Sequence, residues 1–170
     1  MFENYEKEQR TIQNSDILRR TIYSLVYVAR LKTSRDYAWS IIKKLLLDLK
    51  SNHDFLKYVT IGEIKSLKDC IEDISVMSEI NQIESNRIGK AIQEIVDTYK
   101  TKMGKKAGYF FLNEFKEILG EEYYKILKEI GVDLRLIDLQ NQIYGYGDGG
   151  YKIKEKSDSN IAFIEKNDVE

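Results

Sequence analysis

The chain has 170 residues, a formal net charge of −1, and 42% hydrophobic against 32% charged residues. That is the size and make-up of one globular domain, able to bury a core without metal or disulfide staples. A single cysteine, Cys70, excludes an intramolecular disulfide and fits a reducing compartment.

Met1 to Arg10 is polar and charged and lacks the apolar region of a signal peptide. No apolar run approaches the ~20 residues that span a bilayer. The sequence therefore reads as cytoplasmic, with no membrane partner. Proline is absent. Since proline breaks helix interiors, its absence permits long helices. The surplus of Ile, Lys, Asn and Tyr also suggests an AT-rich coding sequence, which alone would deplete proline.

The first predicted helix follows a cap at Asn14 or Ser15. Leu18, Ile22, Leu25 and Ala29 recur at spacings of four, three and four, which is one helical face. The second starts at Thr33 with Asp36 three residues on. It carries a broad stripe of Ala38, Ile41, Ile42, Leu45, Leu46 and Leu49, so it is expected to be the most buried helix. Thr60 and Glu63 have capping-box spacing, with Val59 and Ile64 as the hydrophobic staple. A third helix is predicted from there through Leu67, Ile71 and Ile74 to about Met77.

A polar break from Ser78 to Ser85 separates a fourth helix, which Ile80 and Ile83 could begin early. Its face is Ile88, Ile92, Ile95, Tyr99 and Met103, and Gly104 is its stop. Gly108 to Leu119 forms a fifth, with Phe111, Phe115 and Ile118 on one side and Gly120 as terminator. Glu121 to Ile130 forms a sixth, its acidic start suited to the positive helix end, closed by Gly131. Asp133 to Ile143 is a candidate seventh. Gly145, Gly147, Gly149 and Gly150 cannot hold a helix. Beyond them the tail is either a β-hairpin about Ser157–Ser159 or a flexible segment. The expected architecture is all-α: one bundle-like domain of six or seven helices with antiparallel neighbours, residues 12–143, and a Gly/Tyr linker and tail, residues 144–170.

The chemistry-bearing residues are sparse. Gly145, Gly147 and Gly150 match a dinucleotide fingerprint in letters only, because that fingerprint needs a strand before it and a helix after it. His53 is the only histidine, and with no Ser or Cys nucleophile beside it, it reads as a hydrogen-bonding loop residue or helix cap. Cys70 and His53 are too few for a structural zinc site. Asp69, Glu72, Asp73, Glu121 and Glu122 lack the Glu-x-x-His partner of di-metal bundles. No catalytic, cofactor or metal residue is assigned.

Charge is segregated. Asp16 to Lys44 carries Arg19, Arg20, Arg30, Lys32, Arg35, Lys43 and Lys44 against Asp16 and Asp36. A second basic cluster is Lys100, Lys102, Lys105 and Lys106, while Glu63 to Asp97 is net acidic. Basic residues beside aromatics hold phosphates and stack on bases. Arg19, Arg20, Arg30, Lys32, Arg35, Lys102, Lys105 and Lys106 are the candidate nucleic-acid contacts. Against this, cations at helix C-termini also complement the dipole, and the pI is near 6.0. There are 12 tyrosines. Tyr23 and Tyr27 lie four apart, and Tyr144, Tyr146 and Tyr151 flank the glycines as a candidate interaction surface.

Three function classes follow. The first is a non-enzymatic interaction protein that binds a protein partner or itself as a homo-oligomer. The second is a nucleic-acid-associated protein using the basic patches. The third is an enzyme whose site is not visible as a motif.

Overall fold

The computed structural model describes residues 12–62, 73–107 and 111–135. The chain is mostly helical, as the periodicity requires. Its α-helices are α1 (Asn14–Lys32), α2 (Arg35–Leu49), α3 (Ser85–Met103), α4 (Phe111–Leu119) and α5 (Glu121–Glu129). Short 3-10 helices cover Asp54–Tyr58, Ser78–Gln82 and Gly104–Ala107. The candidate seventh helix beyond Arg135 and the tail, with Tyr144, Tyr146 and Tyr151, lie outside the described residues.

The predicted third helix is corrected at both ends. Val59–Ile61 is strand β1 and Ile74–Val76 is strand β2. They pair antiparallel, with Val59 opposite Val76, Thr60 opposite Ser75 and Ile61 opposite Ile74. Five of these six residues are β-branched, which stiffens them toward extended backbone. Val59, Ile74 and Val76 are buried while Thr60 and Ser75 are exposed, the period-two pattern of a strand. Two further bonds, Gly62 N–H to the Asp73 carbonyl (2.8 Å) and Met77 N–H to the Tyr58 carbonyl (3.1 Å), extend the ladder. A capping box is worth only about 1 kcal/mol, less than this ladder and the burial that accompanies it. Residues 63–72 between the strands, including Cys70, Asp69 and Glu72, lie outside the described residues.

The helix starts also shift by a residue. Ser34, not Thr33, caps α2, its hydroxyl accepting from the Tyr37 N–H at 3.2 Å. Thr33 instead closes α1, donating to the Ala29 carbonyl at 2.9 Å. Gly104, with φ +54°, ends α3 as expected from a residue free to leave the right-handed region.

The most buried helix is α1 rather than α2. Ten of its 19 residues are buried, against six of 15 in α2. Helices α2, α3, α4 and α5 and strand β2 all pack against it. Its apolar stripe faces one side, while Ser15, Thr21 and Ser24 are buried as well. Small polar residues let neighbouring elements approach, and Ser24 satisfies its hydroxyl on the Arg20 carbonyl at 2.8 Å. Around α1 the largest buried side chains are Tyr99, Phe55, Phe111 and Phe115. The Tyr99 hydroxyl donates to the Ala38 carbonyl at 3.1 Å, tying α3 to the start of α2. Burial pushes that hydroxyl far above the usual phenol range, and the nearby Tyr37 adds to the shift.

Candidate nucleic-acid interface

One cation of the second basic cluster, Lys106, reaches the first turn of α2, 69 residues away in sequence. Helix α1 ends with Arg30 and Lys32, and α2 begins with Arg35 three residues after Lys32. Helix α3 packs beside α2, and the 3-10 turn at its end brings Lys106 to the same corner. The Lys106 ammonium sits 3.9 Å from the centre of the Tyr37 ring. The Arg30 guanidinium sits 4.1 Å over the Tyr27 ring. Each cation is thus held against a tyrosine face, an attraction worth about 0.5–2 kcal/mol.

The remaining candidates divide. Lys32 forms an ion pair with Glu114 of α4, at 2.9 and 3.0 Å to the two carboxylate oxygens, with 24% of its side chain exposed. It offers less charge than the sequence implies. Lys102 reaches Asp48 of α2 at 3.6 Å, and Arg35 lies 3.9 Å from Asp36. The Lys105 side chain lies outside the described residues. Arg19 is directed to the sheet, donating to the Val76 carbonyl at 3.3 Å. It precedes Arg30 by about 16 Å along the helix axis, so it is not part of the corner.

Arg20 does two things. Its guanidinium donates to the carbonyls of Ile118 (2.6 Å) and Leu119 (3.2 Å), which caps the open C-terminal end of α4. It also lies over the rings of Tyr23 (5.5 Å) and Tyr123 (5.9 Å). Tyr23 and Tyr27 are themselves 5.7 Å apart with planes tilted by 47°. The residues that sequence reasoning missed are Tyr37, Tyr123 and Glu114, which hold the cations in place. For Arg20, Tyr23, Tyr27 and Arg30 a signal existed: spacings of three, four and three, which put all four on one face of α1.

His53 serves the loop role expected of it. Its ring nitrogen Nε2 lies 2.7 Å from a Glu94 carboxylate oxygen, and Asn52 donates to the other oxygen at 2.9 Å. These contacts tie the loop after α2 to the middle of α3. Arg87 adds a second link to that loop through Asp54 at 3.2 Å. Among the described residues no group of three or more His, Cys, Asp or Glu could hold a metal ion. None of the described helices is long and apolar enough to cross a membrane.

No protein-family model, curated protein or solved structure matches the chain.

Proposed function

We propose that the protein is a non-enzymatic binding protein that holds nucleic acid on the corner between α1 and α2. One observation supports the reading: Lys106, from the second basic cluster, lies on Tyr37 in the first turn of α2, the helix that begins at Arg35. A joined patch raises the local cation density that neutralises phosphate, which separate patches do not. Fluorescence anisotropy with labelled single- and double-stranded oligonucleotides at low salt tests it. Replacing Arg30, Arg35 and Lys106 with glutamine removes the charge while leaving the Lys32–Glu114 pair intact. Affinity should fall by at least about tenfold, since each lost phosphate contact costs affinity at low salt. Unchanged affinity would exclude the corner.

A second reading, contact with another protein or a second copy of the chain, is favoured by Leu31 and Leu47, each 65% exposed. Isolated exposed leucines are common on monomers, so this reading ranks below the first. A monomer across a wide concentration range in sedimentation equilibrium, with no partner recovered from native extract, would sink it.

A further inference from the structure

We draw no further inference here: the strongest candidate, the outer edge of strand β1 (Val59–Ile61) in the two-stranded sheet, carries nothing because nothing in the structure shows what covers it.

Discussion

Adding one methyl group at Gly89 probes the close approach of the turn after α5 to α3. A Cβ at this position would lie 2.1 Å from the Ile130 carbonyl oxygen and 3.0 Å from its carbon, where ordinary contact begins at about 3.4 Å. The oxygen belongs to the backbone and cannot swing aside. The turn that carries it is fixed by Ile130 N–H to the Ile126 carbonyl (3.0 Å) and Val132 N–H to the Leu127 carbonyl (2.9 Å). Relief therefore requires the end of α5 to move away from α3. That movement loosens the bond from Asp133 N–H to Gln93 (2.6 Å) and opens Val132 and Leu134, each 4% exposed. Alanine gains about 1 kcal/mol over glycine in a helix interior. Overpacking costs about 1–3 kcal/mol, and the lost hydrogen bond adds about 0.5–1.5 kcal/mol. Gly89→Ala should therefore destabilise by about 0.5–3.5 kcal/mol, lowering Tm by about 1–14 °C for a chain of this length. Urea and thermal unfolding followed by far-UV circular dichroism measure it, with exposed Lys90→Ala as a control expected within about 0.5 kcal/mol of wild type. A Gly89→Ala protein as stable as wild type, or more so, would refute the close approach of Ile130 to α3.

Further outcomes follow from single side chains. Arg20→Met keeps the apolar stem but strips two α4 carbonyls of their donor. It should cost about 1–3 kcal/mol and speed hydrogen exchange in α4 selectively; uniform exchange would deny Arg20 its capping role. The raised Tyr99 hydroxyl keeps its proton in the folded state above about pH 10, where an unfolded phenol gives it up. The unfolded state then binds fewer protons, so stability present below about pH 10 is lost as pH rises further. The urea midpoint should fall through that window, and Tyr99→Phe should flatten the fall; an unchanged fall would remove Tyr99 as its source. The hydrogen bond from the Arg135 side chain, with a backbone bond from the same residue, draws the Asp133 carboxyl down to about 2. Its carbon resonance should remain that of a carboxylate at pH 3, a result that Arg135→Ala should reverse.

Most helices were legible because an apolar residue every three or four positions has one structural meaning when it persists for several turns. Ile88 to Met103 is the clearest case. The sheet was not legible because Val59–Ile61 and Ile74–Val76 are only three residues each, too short for period two to compete with an apparent helix stripe. The central place of α1 was hidden for a different reason. Three of its ten buried residues are Ser15, Thr21 and Ser24, and apolar patterning does not count hydroxyls as core. The basic clusters stood out in composition, but the reach of Lys106 to Tyr37 depends on α3 packing beside α2. That contact joins residues 69 positions apart in the chain and leaves no local trace. Nor does sequence reveal where an arginine spends its donors: Arg19 and Arg20 turn to backbone carbonyls of β2 and α4, whereas Arg30 lies on Tyr27.

The most direct test of the central claim is the salt dependence of wild-type binding to a labelled single-stranded oligonucleotide, followed from low to physiological ionic strength. With Arg30, Arg35 and Lys106 neutralising phosphate at the corner, log affinity should fall against log salt with a slope of about −2. No binding at low salt, or an affinity that salt does not change, would contradict the account.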